Sequence, residues 1–220
     1  MLRKVLKQHH GRRCLINSEP LTEPVKLDTR AQVLLIMLDR PARAQAVDRF
    51  MAEQLYVAFR AFESSDKYKA AVLCSTSDHF CSGYDVFDVK NPSYGQLLTE
   101  QLVNLPANQS PMGPCKMDFT KPVIAAIEGA AVAGGFELAL CADLRVASKS
   151  AYFGFYNRKL NVPLIDGGAL LLNNLIGKGR AMDMIMTGRR VDAEEAFQLG
   201  IVNRLVEGLI NKLSTLKGLF

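Results

Sequence analysis

The sequence predicts a single α/β domain of repeated strand-strand-helix units. Short apolar runs, which are typical of buried strands, alternate with longer segments whose apolar residues recur with a period of about 3.6 residues. The 220 residues, 49% of them hydrophobic, are enough for one sizeable core. Since no low-complexity segment or linker interrupts the chain, we expect residues 19–220 to form one domain.

The predicted elements of the first half are two strands, at 33–38 and 70–74, and a helix at 47–62. Within this helix the apolar residues keep one face, at positions 47, 50, 51, 55, 58, 59 and 62. Turn-forming residues at 91–114 surround a short apolar helix signal at 96–105. This segment is predicted to be the most mobile part of the chain.

The second half continues the alternation. A strand at 123–127 leads through a turn to a helix that begins at Gly134. Further strands are predicted at 144–147 and 152–155, and the remaining helices at 168–176, 178–187 and 192–199. Apolar residues at helical spacing from Leu205 onward predict one amphipathic helix at the end of the chain.

The most informative stretch is residues 121–147, KPVIAAIEGAAVAGGFELALCADLRVA. It places the carboxylate of Glu137 three residues after Gly134, where a helix begins. The first turn of a helix has unpaired backbone N–H groups and so favours an anionic oxygen. Glycines at such a turn let a ligand approach the backbone closely.

Three other interpretations of this stretch compete. Glu128, Glu137 and three glycines argue against a membrane span, since a carboxylate at the bilayer centre costs about 2.5 to 3.5 kcal/mol. Ala133-Gly134-Gly135 has neither the dinucleotide-binding nor the P-loop spacing. An ordinary buried turn, in which a neighbour satisfies Glu137, stays open on this segment alone.

Four segments together resemble the crotonase superfamily, also called the enoyl-CoA hydratase/isomerase family. They are LLIMLDRPARAQAV at 34–47, FCSGYDV at 80–86, the central segment at 121–147, and GRRVDAEEAFQLGIVNRL at 188–205. Their order and spacing are similar to those of the family. The resemblance implies the crotonase, or ClpP/crotonase-like, spiral of repeated ββα units.

The resemblance also implies an oxyanion hole for an acyl-CoA thioester. In the family, two backbone N–H groups from two glycine-containing loops bind the thioester oxygen and stabilise the enolate. By position these donors are the amides of Tyr84, which follows Ser82-Gly83, and of Gly134, which precedes Gly135. Losing one such donor typically costs about 2.7 to 4 kcal/mol of transition-state stabilisation.

Hydratases of this family share proton transfer between two glutamates. Glu137 matches the first, whereas Asn157 stands at the position of the second and cannot accept a proton. Asp166, in VPLIDGG before the helix at 168–176, is an alternative proton-transfer candidate, but an aspartate there is also a favoured helix N-cap. Asp85 is expected to cap or hydrogen-bond its own loop.

The family holds coenzyme A mainly with backbone. The resemblance assigns these contacts to Ala44, Gln45, Ala46 and Ser82, with Gly83 and Gly135 lining the same loops. Two arginines near the turn, Arg40 and Arg43, either meet the nucleotide phosphates or are simply solvated. Since the substrate itself carries coenzyme A, no separate cofactor is expected.

Cysteine and histidine usage argues against other site types. The five cysteines form no C-x-x-C pair, so we expect neither a disulfide framework nor a metal site. The three histidines include only His79 in the body of the chain, and no G-x-S-x-G motif accompanies it. A Ser/His/Asp triad is therefore discarded.

The net charge of +5 comes from the first 18 residues, which hold five basic residues and no acidic one. The remainder is neutral, which disfavours a nucleic-acid partner. Residues 1–18 resemble a mitochondrial presequence, with a disordered basic tail as the alternative, and we expect a matrix protein. No secretory signal or membrane span is predicted.

Crotonases usually continue well past the point matching Leu205, with helices that cover the acyl pocket and help to build trimers. Here only residues 206–220 follow, so we expect a C-terminally short member, and a homotrimer or dimer of trimers only if this end permits it. The predicted function is an enoyl-CoA hydratase-like lyase. The alternatives are an isomerase or a decarboxylase, a catalytically impaired relative that binds CoA or forms oligomers, and a crotonase-fold RNA binder.

Overall fold

The computed structural model describes residues 23–86 and 103–208. Its larger sheet has six strands in the order β1-β2-β3-β4-β6-β9. Only β1 is antiparallel to its neighbour, and the other pairs are parallel. These strands are β1 (Val25–Arg30), β2 (Val33–Leu38), β3 (Ala70–Ser75), β4 (Val123–Ile127), β6 (Leu144–Ser148) and β9 (Arg204–Val206).

A smaller sheet of three strands lies beside it, in the order β5-β7-β8. Its strands are β5 (Ala130–Val132), β7 (Tyr152–Gly154) and β8 (Val191–Asp192), with β5 parallel to β7. The chain passes from β4 to β5 through Glu128 and Gly129, and thus from the larger sheet to the smaller. This transition delivers the chain to the loop in front of Gly134.

Six α-helices with bounds inside the described ranges connect these strands. They are α1 (Arg49–Glu63), α2 (Gly134–Leu140), α3 (Asn157–Leu160), α4 (Gly168–Ile176), α5 (Lys178–Thr187) and α6 (Ala193–Gln198). The side chain of Asp48 accepts the Met51 N–H and begins α1, and Asp192 does the same for α6 with Glu195.

The main core lies between the sheets and the helices. The buried face of α1, with Met51, Leu55 and Phe59, belongs to the same apolar cluster as Ile36 of β2 and Phe136 of α2. A second, smaller cluster occupies the other face of the larger sheet: Leu35, Val72, Cys74, Ile124, Ala126 and Val146. Side chains of β2 and β3 therefore enter apolar clusters on both faces, as expected of strands inside a parallel sheet.

The structure confirms the α/β class and most predicted elements. The strands at 33–38 and 123–127 and the helices at 168–176 and 178–187 have the predicted bounds. The first predicted helix begins two residues later than expected, because Asp48 is its N-cap. Four of the described strands were not predicted: β1, β5, β8 and β9.

The prediction of a helix beginning at Leu205 is wrong at that residue. Leu205 pairs with Ala147 in β9, at the edge of the larger sheet. The rest of the predicted helix, residues 209–220, lies outside the described residues, as do the predicted presequence at 1–18 and positions 91–102 of the predicted mobile segment. Within the described ranges, no helix has both the length and the apolar character needed to cross a membrane.

Candidate active site

Two glycine-containing loops meet at the front of the smaller sheet. A methyl group at Gly83 would lie 3.0 Å from the backbone nitrogen of Gly134, so the two chains are in contact there. The loop around Cys81 is attached to β5 by backbone hydrogen bonds, because Cys81 N–H donates to Ala130 O at 2.8 Å and Cys81 O accepts Val132 N–H at 3.0 Å. The sheet thus sets the spacing of the two loops.

The backbone N–H of Tyr84 points away from Val47, the residue that pairs with Tyr84 in an isolated β-bridge. Val47 N–H donates to Gly83 O at 2.8 Å, and Asp85 N–H donates to Val47 O at 3.0 Å. Alternation along an extended segment turns the intervening Tyr84 N–H to the opposite side. Inside the ranges 23–86 and 103–208, this N–H has no hydrogen-bond acceptor.

The second loop is strained where it enters α2. Ala133 has φ +52° and ψ −129°, a backbone conformation that a residue with a side chain rarely adopts and that costs about 1 to 3 kcal/mol. Ala133 N–H donates to Gly154 O at 2.9 Å, which holds the turn against β7. The next amide, Gly134 N–H, has no acceptor in the described part of the chain.

Glu137 lies one turn into α2 and is fully buried. Its Oε1 accepts two backbone N–H groups, from Gly168 at 3.0 Å and from Asp166 at 3.1 Å. Its Oε2 is buried without a partner among the described residues. Burial, with a smaller contribution from the Asp166 charge, raises the pKa of Glu137 to about 8, so it carries a proton at neutral pH.

Asp166 does not cap α4, so that alternative is wrong. The N-cap of α4 is Gly167, in the left-handed region at φ +92°, and no side chain bonds to the helix start. The Asp166 side chain instead turns inward, where Oδ1 accepts Met112 N–H at 2.9 Å and Oδ2 accepts the Tyr84 hydroxyl. The positive φ of Gly167 reorients the chain between Asp166 and the helix.

Asn157 begins α3 and is 3% exposed. Its Nδ2 donates weakly to Pro163 O at 3.4 Å, and its Oδ1 is buried without a partner in the described part of the chain. With Ser82, Tyr84 and Ala133, it lines a cleft of about 320 Å³, open mouth included. The cleft's outer wall carries the exposed side chains of Val86 and Leu160.

The residues assigned to coenzyme A lie together beside the first loop. Ala44 O accepts Ser82 N–H at 3.2 Å, and Ala44 and Gln45 have φ of +48° and +58°. The Gln45 side chain is buried, since Oε1 accepts Arg40 N–H at 2.5 Å and Nε2 donates to Ser77 Oγ at 3.0 Å. The Gln45 backbone is also engaged, because its N–H donates to Arg40 O at 3.1 Å and its carbonyl oxygen accepts the Cys81 thiol at 3.2 Å.

Arg40 is an internal ion-pair residue, not a solvated or phosphate-facing one. Its Nη2 lies 3.0 Å from Asp85 Oδ2 and 3.2 Å from Asp48 Oδ2, and its Nη1 donates to Ala46 O at 2.5 Å. Asp85 was expected to cap or hydrogen-bond its own loop, but its side chain accepts a hydrogen bond from Arg40, which lies outside that loop. The pair fastens the Ala44–Ala46 turn to the start of α1.

The described residues contain no cluster of three His, Cys, Asp or Glu side chains arranged to hold a metal ion. The site is instead formed by backbone amides, one buried glutamate, one buried aspartate and one buried asparagine. Such a set can bind a carbonyl oxygen, donate a proton from a neutral carboxyl group and orient a water molecule.

Comparison with known proteins decides the family. Residues 28–209 match the family model described as Enoyl-CoA hydratase/isomerase. The chain belongs to this family. This confirms the crotonase resemblance that was inferred from the four sequence segments.

Similar proteins agree with this assignment. A carnitinyl-CoA dehydratase of Proteus mirabilis is 33% identical over 192 residues, which cover 84% of this chain and 69% of the relative. The corresponding Salmonella paratyphi A protein is 35% identical over 193 residues, 84% of this chain and 69% of its own.

Solved structures show the same fold. A probable enoyl-CoA hydratase/isomerase from Mycobacterium abscessus is 34% identical, with a TM-score of 0.76 over 90% of this chain and 74% of its own. An enoyl-CoA hydratase from Bacillus anthracis reaches a TM-score of 0.77 at 29% identity over 87% and 72%. This chain is thus a hydratase/isomerase-like enzyme with the crotonase fold.

Sequence reasoning missed three contributors to the site. The Tyr84 side chain and Met112 N–H bind Asp166, and no local pattern signals either contact. Gly168 was seen only as the start of a helix, but a methyl group there would lie 2.4 Å from Glu137 Cγ. The Gly167-Gly168 pair was a usable signal, because glycine allows such close approach.

Proposed function

We propose that this chain is a hydratase-like enzyme that holds an acyl-CoA thioester oxygen between the amides of Tyr84 and Gly134. The two loops that carry these amides are in contact, and both N–H groups lack an acceptor within the described ranges. Fixed amides in a water-poor site stabilise the enolate oxygen, at about 2.7 to 4 kcal/mol for each donor.

Glu137 is the proposed proton-transfer residue. The observation that carries this assignment is its unpartnered, buried Oε2, three residues after the Gly134 amide. A buried polar atom without a partner is costly and is retained where a ligand or water completes it. Its raised pKa, about 8, suits general acid/base work near neutral pH.

The proposed reaction is addition or removal of water at the double bond next to the thioester. Support comes from the carnitinyl-CoA dehydratases and enoyl-CoA hydratases to which the chain is similar. Asn157, at the position of the family's second glutamate, would orient the water molecule instead of exchanging a proton with it. Coenzyme A enters beside Ala44, Gln45, Ala46 and Ser82 as part of the substrate.

The test is turnover of crotonyl-CoA, followed by the loss of its enoyl absorbance, and of carnitinyl-CoA, by the wild type and by Glu137→Gln. We expect Glu137→Gln to lower kcat/KM by about 10²- to 10⁴-fold, because general acid/base transfer contributes that much. Glu194→Gln, an exposed carboxylate on α6, is the matched control and keeps wild-type rates.

Equal rates in wild type and Glu137→Gln would exclude the catalytic assignment. A wild-type protein that gains thermal stability from acyl-CoA without turning over either substrate would instead be a non-catalytic CoA-binding relative. The presence of Asn157 at the second glutamate position specifically favours that second candidate. Double-bond migration and decarboxylation are assayed in parallel.

A further inference from the structure

Glu137 and Asp166 are two buried carboxyl groups that act on one another, and their hydrogen-bond partners differ. Both donors to Glu137 reach the same oxygen, Oε1, and Oε2 receives none from the described residues. On Asp166 both oxygens accept a donor, Met112 N–H on one and the Tyr84 hydroxyl on the other. Donors to both oxygens stabilise the charged form of Asp166.

Two buried carboxyl groups whose charges repel do not both ionise easily, so the pair retains one proton across a wide pH range. The donor pattern decides which carboxyl group holds it. A proton on either Asp166 oxygen would weaken the hydrogen bond that this oxygen accepts, whereas Glu137 Oε2 accepts none from the described residues. The shared proton therefore resides on Glu137 Oε2.

Other titratable groups near the pair do not change this result. Burial raises the pKa values of Tyr84 and Cys115 well above their usual range, so both stay neutral, and Cys141 contacts Cys115. Burial raises the pKa of Asp166, whereas the hydrogen bonds that it accepts and the charge of Lys116 act in the opposite direction and favour its ionised form. Among the described groups, Asp166 supplies the negative charge that acts on Glu137.

We propose that Asp166, fixed as an anion by Tyr84 and Met112, is a positioning residue that keeps a proton on Glu137 Oε2. This role rests on the proposed function, in which the proton that Asp166 keeps on Glu137 makes Glu137 an acid at the start of each turnover. In hydration the Oε2 proton goes to the α carbon of the enoyl group, and the carboxylate left behind recovers a proton from the water molecule whose hydroxyl adds to the β carbon. Asp166 itself does not touch the substrate.

The experiment is a carboxyl ¹³C NMR titration of protein labelled in Glu and Asp, with the Glu137 signal assigned by its loss in Glu137→Gln. In the wild type we expect Glu137 to titrate at about 8. In Asp166→Asn its midpoint falls by about one to three units, because a neighbouring negative charge is gone. Asp85→Asn removes another buried aspartate, one that pairs with Arg40, and leaves the Glu137 midpoint unchanged.

Tyr84→Phe gives a second, independent measurement if Asp166→Asn does not fold. Loss of the hydroxyl removes one donor from Asp166, so Asp166 competes better for the proton. At pH 7 the protonated fraction of Glu137 then falls, and the Asp166 signal gains the same fraction. An unchanged Glu137 titration in Asp166→Asn or in Tyr84→Phe overturns the proposal.

The titration needs no turnover, which separates this proposal from the proposed function. If the expected shifts are observed but neither substrate is turned over, the proposed hydratase-like function is wrong and the assignment of the proton to Glu137 still holds. With activity, the basic limb of the kcat/KM pH profile follows the Glu137 midpoint. It therefore moves to lower pH in Asp166→Asn, which a purely structural role of Asp166 does not produce.

Discussion

The two halves of the site are built from different materials. The backbone half, Gly83–Tyr84 and Ala133–Gly135, presents main-chain amides held by contacts between loops. The carboxyl half, Glu137, Asn157 and Asp166, presents buried polar side chains. In the backbone half the glycines matter through their lack of a side chain, whereas in the carboxyl half the residues matter through charge and hydrogen bonding.

This difference explains where the chain keeps the family pattern and where it departs from it. A methyl group would lie 3.0 Å from a backbone atom at Gly83 and 2.3 Å from one at Gly135, so the close approach between the loops favours glycine at both positions. A proton-transfer group can be replaced if its surroundings change with it. The carboxyl half has Asn157 where the sequence resemblance places the family's second glutamate, and an Asp166 that is hydrogen-bonded to Tyr84 and Met112.

The largest expected effect is on stability in the carboxyl half. The pKa of Glu137 is raised from 4.5 to about 8 on folding, so the folded chain binds this proton more tightly than the unfolded chain. The contribution to stability is complete below about pH 4.5 and is lost as the pH rises through about 8. Because glutamine mimics the neutral carboxyl group, Glu137→Gln is expected to be more stable than wild type by roughly 3 to 5 kcal/mol at pH 9.

Urea unfolding at a series of pH values measures this difference. The two proteins should have the same stability near pH 4, where Glu137 is neutral in both states, and diverge above it. A Glu137→Gln protein that is less stable than wild type at pH 9 would show that the carboxylate stabilises the fold. The carboxyl half would then resemble an ordinary buried ion site.

In the backbone half, the stability of the protein is expected to depend on side-chain size and not on pH. A methyl group at Gly135 would lie 2.3 Å from Cys81 O and 2.7 Å from Cys81 C, which are backbone atoms that cannot turn aside. Gly135→Ala should therefore destabilise the protein by about 3 kcal/mol, the upper end of overpacking costs. The free energy of unfolding in urea measures this, and the loss should be independent of pH.

Gly179→Ala is the matched control for that substitution. Gly179 lies in α5 with open space around its Cα, so alanine meets nothing within 4 Å. A gain of about 0.5 kcal/mol is expected from the higher helix propensity of alanine. Equal effects of the two substitutions would contradict the close contact between the Gly135 and Cys81 backbones.

The backbone half of the site could be predicted from the sequence more fully than the carboxyl half. Strands such as β4 and helices such as α4 and α5 follow from apolar periodicity, which is a local property. The short strand β1 escaped because its only buried residue is Val25, so no apolar run marks it. The glycines of the backbone half and the position of Glu137 were likewise readable, since spacing along the chain defines them.

The carboxyl half depends on contacts between distant parts of the chain. Asp166 was expected to cap α4 because the local pattern favours it, but its partners Met112 and Tyr84 lie 54 and 82 positions away. Two donors to a buried carboxylate outweigh one cap, since each hydrogen bond to a charged group contributes about 1.5 to 3 kcal/mol. Long-range packing, which a single sequence does not display, decided that role.

The smallest expected effect concerns Asn157. Its Oδ1 has no partner inside the described ranges and its Nδ2 makes one long hydrogen bond to Pro163 O, so removing the amide should cost only about 0.5 to 1.5 kcal/mol of stability. If this amide orients the reacting water, Asn157→Ala should lower kcat about tenfold, the equivalent of one hydrogen bond of about 1.4 kcal/mol. Asn174→Ala, on the exposed side of α4, is the control and keeps the wild-type rate. A wild-type kcat in Asn157→Ala would show that Asn157 does not orient the water molecule, and that Glu137 and the cleft wall do so alone. The chemical role of the carboxyl half would then be limited to the transfer of the Glu137 proton.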